Sequence, residues 1–192
     1  LRFNGNAVLN GGSITTTGTQ YYNGNVNLGT GTELTTTNAA VTFTGTVNNQ
    51  TVGTPESLTV NAGSGAVLFS DLVGSTTLGA IDKLGAVAIN STGDTTFTKT
   101  VDATSLTTDL GGRVIIQGGR ISTTGAQSYG ENLLLGSLSH TTILNTTNAA
   151  VTFTGTVNNQ TNGTPESLTV NAGTGDVLFT KAVGDQGKLG NM

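Results

Sequence analysis

The segment Asn38–Gly63, NAAVTFTGTVNNQTVGTPESLTVNAG, returns at Asn148–Gly173 with one change, Val52 becoming Asn162. Near-identity at a separation of about 110 residues makes the chain an array of repeated units, and an array has to be read by its period before its residues. The recurrence favours an architectural role, because a duplicated scaffold rarely duplicates a finely placed catalytic centre along with it.

The long repeat is about 107–110 residues, too long for a single solenoid turn. Phe3–Gly12 aligns with Leu110–Gly119, Ile14–Gln20 with Ile121–Gln127, and Leu28 with Leu135; a three-residue insertion then moves Leu34 onto Leu144. Residues 1–192 therefore read as one segment, with a first copy at about 3–109 and a second from about 110. A shorter motif lies inside, an apolar residue, any residue, Phe, Ser or Thr, two residues, then Val. It stands at Val41–Val47, Val67–Val73, Val151–Val157 and Val177–Val183, with Thr opening the copy at Thr95–Val101. Ile14–Gln20 and Ile121–Gln127 are degenerate copies in which Thr replaces Phe. The starts, at Ile14, Val41, Val67, Thr95, Ile121, Val151 and Val177, are nearly evenly spaced. That spacing predicts about seven turns of about 27 residues, the signature of an all-β chain wound as a parallel β-solenoid.

Each turn is expected to carry three short strands. The first is Leu34-Thr-Thr, Leu58-Thr-Val, Val87-Ala-Ile, Val114-Ile-Ile and Leu168-Thr-Val. The second is the Phe strand, and the third begins at Val47, Val73, Val101, Val157 and Val183. Alternation points Val41 and Phe43 inward and Thr42 and Thr44 outward. Stacked turns then place Phe43, Phe69, Phe97, Phe153 and Phe179 in one internal aromatic ladder, with the five valines in a second. A buried side chain of this kind is worth roughly 1.5–3 kcal/mol, so the ladders supply much of the stabilisation a narrow cross-section allows. The position after each Phe is hydroxylic throughout: Thr17, Thr44, Ser70, Thr98, Thr124, Thr154 and Thr180.

Composition agrees with many short strands. Hydrophobic residues are 34% of the chain and charged residues 9%, while Thr supplies about a fifth. Thr favours strands, and Gly and Asn favour tight turns. A net charge of −4, with four Lys and three Arg scattered singly, speaks against nucleic acid as a partner. No apolar run reaches the roughly 18–20 residues of a membrane span. Without Cys there is neither a disulfide framework nor a thiolate metal site.

Residues that could carry chemistry read more readily as scaffold. His140 is the lone histidine, placed in the insertion Ser137–His140 with no counterpart in the first copy; a solvated loop residue is expected, not a catalytic one. The carboxylates are Asp71, Asp82, Asp94, Asp102, Asp109, Asp176, Asp185, Glu33, Glu56, Glu131 and Glu166. Sugar cleavage or metal binding needs paired acids, yet these occupy different offsets: Lys181 and Gly45 stand where Asp71 does, and Ala66 where Asp176 does. They read as solubilising turn residues. The Gly-rich stretches lack the Lys-Ser/Thr ending of a phosphate loop and the Asp spacing of calcium-binding nonapeptides. No catalytic, cofactor or metal residue is assigned. Two binding alternatives remain. Thr42/Thr44, Thr96/Thr98 and Thr152/Thr154 form Thr-x-Thr pairs of the kind that order ice, though Leu68 and Leu178 interrupt their column. Tyr22 and Tyr129 are either exposed sugar-stacking rings or, preferably, packed side chains.

The units I-[ST]-T-T-G-[TA]-Q-x-Y at Ile14 and Ile121, VTFTGTVN at Val41 and Val151, and SLTVNAGxGxVLF at Ser57 and Ser167 resemble the repeats of filamentous-haemagglutinin-like and autotransporter-like giant bacterial surface adhesins. The resemblance covers nearly the whole chain. It implies a right-handed parallel β-helix, export to the cell surface, and a non-enzymatic stalk or filament shaft serving adhesion or biofilm. Implied partners are neighbouring repeats of the same protein, other copies joined end to end, and a host or matrix glycan.

Overall fold

In the computed structural model, which describes residues 1–74, 83–161 and 164–191, every regular element is a β-strand. All the strand pairs are parallel. One sheet runs through eight strands from Arg2–Phe3 to Asn132–Leu135 and Val157–Asn159. A second follows a path from Ser13–Thr16 to Ser167–Asn171, and Gln127–Tyr129, Val151–Phe153 and Val177–Phe179 join it as a branch. A third pairs Ala7–Leu9, Val26–Leu28 and Val47–Asn49. Their buried apolar residues form one core cluster.

Alternation explains which residues fill it. Val41, Phe43, Val67, Phe69 and Phe97 are at most 1% exposed, whereas Thr42, Leu68 and Thr96 between them point outward. In the first sheet the pairing places Phe3, Tyr22, Phe43, Phe69, Phe97, Ile116, Leu135 and Asn159 in one column. The five rings stack face to face, with centroids 4.8–5.4 Å apart and planes within 15°. That distance is the strand-to-strand spacing of a sheet, so pairing and ring stacking demand the same geometry. Each buried ring pair adds about 0.5–1.5 kcal/mol to its burial.

The single aromatic ladder expected from the sequence is in fact two. Tyr129 stacks with Phe153 at 5.3 Å and Phe153 with Phe179 at 4.6 Å in another column, where Tyr129 stands opposite Thr108 and Thr108 opposite Ile89. The valines divide likewise: Val47, Val73 and Val101 bridge one another, while Val157 and Val183 pair beside Leu133. Val114-Ile-Ile does not join Leu58-Thr-Val and Val87-Ala-Ile; it lies between Asp94–Phe97 and Asn132–Leu135. Nor do the degenerate motifs enter the first Phe column, since Ile14 pairs with Leu34, and Ile121 with Val101 and Leu144. The cause is unequal spacing. Along the first column the step in sequence from Phe69 to Phe97 is long, whereas those from Phe97 to Ile116 and from Ile116 to Leu135 are much shorter. Corner loops absorb length at little cost, so a constant period is not needed to keep strands aligned.

The corners depend on close backbone approach. A Cβ on Gly65 would lie 2.2 Å from the Ala39 carbonyl, and one on Gly175 2.3 Å from that of Ala149, the same contact in both copies. Gly63 and Gly173 hold positive φ of 59° and 61° just before them, a conformation that glycine adopts without steric cost.

Candidate functional site

The residues singled out in the sequence fall into buried, hydrogen-bonded places more often than exposed ones. Tyr22 and Tyr129 are fully buried, so neither presents a ring to a sugar. Each donates its hydroxyl to a buried glutamine two residues earlier: Tyr22 to Gln20 Oε1 at 2.9 Å, Tyr129 to Gln127 Oε1 at 2.8 Å. The Gln20 and Gln127 amides in turn donate to backbone carbonyls, Thr35 and Asn145 among them, on the neighbouring strand. Burial raises both phenol pKa values well above the ordinary one. These two clusters fill the core where the Phe motif is missing.

Thr42 and Thr96 do not stand in a threonine array. Their outward column runs Tyr21, Thr42, Leu68, Thr96, Ile115 and Leu134. Arg2 sits over the Tyr21 ring at 4.5 Å.

The carboxylates are dispersed, and among the described residues no three acidic or histidine side chains are placed to hold a metal ion. Asp94 takes both Nε and Nη2 of Arg113 at 3.0 and 2.6 Å, and Asp102 accepts from Arg120 at 3.1 Å. Glu33 accepts from Asn61, Asp109 from the Ser91 amide and Asp71 from the Leu72 amide. Glu56 is half-buried, Asp176 and Asp185 are exposed, and Asp82 lies outside the described residues. His140 is an exposed loop residue, as expected, and its Nδ1 lies 3.3 Å from Glu166 Oε1, linking the insertion to that side chain. Glu166 is only 3% exposed, and its second oxygen has no hydrogen-bond partner. The adjacent Ser137 and Ser139 hydroxyls bond each other at 2.8 Å.

Glu131 is the most perturbed acid. It is 3% exposed, and neither carboxyl oxygen makes a hydrogen bond. Desolvation first, then the charges of Asp109 and Asp94, push its pKa up to about 8. A carboxyl so placed keeps its proton at neutral pH.

A groove of about 240 Å³ is polar and lined by Lys83, Asp102, Ser122, Thr124, Asn145 and Thr147. Two of its polar side chains, Asn145 and Ser122, belong to a hydrogen-bonded ladder. Asn171 Nδ2 donates to Asn145 Oδ1 at 2.8 Å, Asn145 Nδ2 to Ser122 Oγ at 3.3 Å, and Arg120 Nη1 to the same hydroxyl at 2.8 Å. A matching ladder runs from Asn90 through Asn61 to Glu33, with bonds of 2.7 and 2.6 Å. The groove thus presents a hydrogen-bonding surface. The ladders were missed in the sequence, although an apolar residue followed by Asn at a strand end recurs in AIN, TVN and ILN.

Compared with known proteins, the chain matches no family model, no curated protein and no solved structure.

Proposed function

We propose that this chain is a non-enzymatic segment of an extracellular stalk or fibre shaft, wound as a right-handed parallel β-helix in a bacterial surface adhesin. Phe3, Tyr22, Phe43, Phe69, Phe97, Ile116, Leu135 and Asn159 mark eight successive circuits in this reading, each passing three strand positions. The observation that carries it is the continuous parallel register, with rings stacked at the sheet spacing. A right-handed sense follows from the strong preference of parallel crossovers. Eight circuits at about 4.8 Å give a rod of about 38 Å. Function is then mechanical: stacked circuits turn chain length into reach, and neighbouring units of the array are the necessary partners. Joining of separate copies end to end and contact with a matrix glycan extend the same reading.

Tandem proteins of one, two and three long repeats test the proposal by electron microscopy. The expected result is constant width, with each unit adding roughly 20–25 Å of length. Particles that thicken in all directions as units are added would refute it.

A further inference from the structure

We infer that the long repeat does not close on itself: each copy advances the winding by four and two-thirds circuits, so that its recurring surface appears on a new face. The inference rests on the β-helix reading above. From Ile14 the column passes through Leu34, Val60 and Ile89 to Thr108, which is four circuits. Two further strand positions, Ile116 in the Phe column and Ile121 opposite Val101, complete the unit.

Three independent sets of equivalent residues shift by one face in the same sense. Tyr22, Phe43 and Phe69 lie in the first sheet, but their counterparts Tyr129, Phe153 and Phe179 lie in the column of Val60 and Ile89. Ile14, Leu34 and Val60 share that column, but Ile121, Leu144 and Val170 continue the column of Val101. Val47 and Val73 lead into Val101, whereas Val157 and Val183 stand beside Leu133 in the first sheet. Side chains on both sides of the junction, among them Ile89, Phe97, Ile116, Ile121 and Tyr129, are fully buried.

The consequence concerns recognition. The outward amides and hydroxyls of the duplicated segment, such as Asn61 and Asn171, form ladders on different faces. At about 4.8 Å per circuit, one copy advances about 22 Å along the axis. A partner reading this strip therefore meets it a third of the circumference round at each copy, and on the original face again only at the fourth. A flat surface engages every third copy, and a flexible multivalent partner must wrap the rod.

Disulfide trapping tests the phase, since the chain has no cysteine of its own. Neighbouring parallel strands bring facing Cα atoms within bridging range. In the rotated arrangement Thr107 faces Ser128, so Thr107→Cys with Ser128→Cys cross-links on mild oxidation. A unit of four whole circuits would instead set Ser128, the counterpart of Tyr21, beside Thr96. The pair Thr96→Cys with Ser128→Cys is therefore expected to stay reduced. Thr42→Cys with Leu68→Cys, which face each other within the first copy, reports on the winding alone. Circular dichroism of each variant establishes that it is folded. Linking of Thr42 with Leu68 and of Thr107 with Ser128, but not of Thr96 with Ser128, is the expected result. A Thr96–Ser128 link, or no Thr107–Ser128 link while the first-copy pair closes, would overturn the inference. Failure of the first-copy pair would overturn the β-helix reading and the inference with it.

Discussion

Glu131 makes stability fall as pH rises, and the size of the fall can be worked out. Its carboxyl moves from the ordinary value of 4.5 to about 8 in the folded chain. Between those values the native state holds a proton that the unfolded chain has lost. Unfolding free energy therefore declines with pH across the interval and levels off above about 8, with the full benefit retained below about 4.5. At about 1.36 kcal/mol per pH unit the ceiling is about 5 kcal/mol. Relaxation and water entry around a carboxylate at a sheet corner reduce this to roughly 2–4 kcal/mol. Urea unfolding followed by far-ultraviolet circular dichroism at pH 5, 7 and 9 measures the decline. Glu131→Gln, which stays neutral, should flatten this component and be the more stable protein at pH 9. Asp109→Asn should reduce the slope in part, because one repelling charge is gone. Parallel pH profiles for the wild type and Glu131→Gln would refute the reasoning.

Three other perturbations follow from the core and corners. Phe69→Ala removes the ring between Phe43 and Phe97 and should cost about 3–5 kcal/mol; Phe179→Ala, half-buried with Phe153 beside it, should cost less than half as much in the same denaturant titration. Gln127→Ala strands the buried Tyr129 hydroxyl and the Asn145 carbonyl, at about 1–3 kcal/mol each; adding Tyr129→Phe should recover part of the loss by thermal unfolding. Gly65→Ala drives a methyl group into the Ala39 carbonyl and should lower the midpoint sharply, whereas Gly31→Ala, with open space around its Cβ, should change stability by no more than about 1 kcal/mol.

Within one copy, the inward Val-x-Phe pairs announce their register, because alternation and β-branched residues speak for themselves. Val41 over Val67 and Phe43 over Phe69 could be read from spacing alone. The junction could not. Ile116 and Leu135 take over the Phe column by facing the right partners, not by resembling Phe, and column membership is a property of the neighbouring strand. A motif search assigns Ile121 to the Phe series on likeness, while pairing sends it to Val101. The same limit hid Glu131 and Glu166, which are acidic residues that read as solvated until adjoining loops cover them. The Gln-Tyr clusters were half visible, as repeated Gln-x-Tyr triplets whose glutamine had no stated purpose.

The asparagine ladders give the molecule a direction. In both, the amide of the later strand donates to the oxygen of the earlier one. Every ladder thus has a donor side and an acceptor side, like a row of hooks all facing one way. Two segments meeting head to tail continue the row, whereas two meeting head to head oppose like groups, and the mismatch grows with each ladder the contact spans.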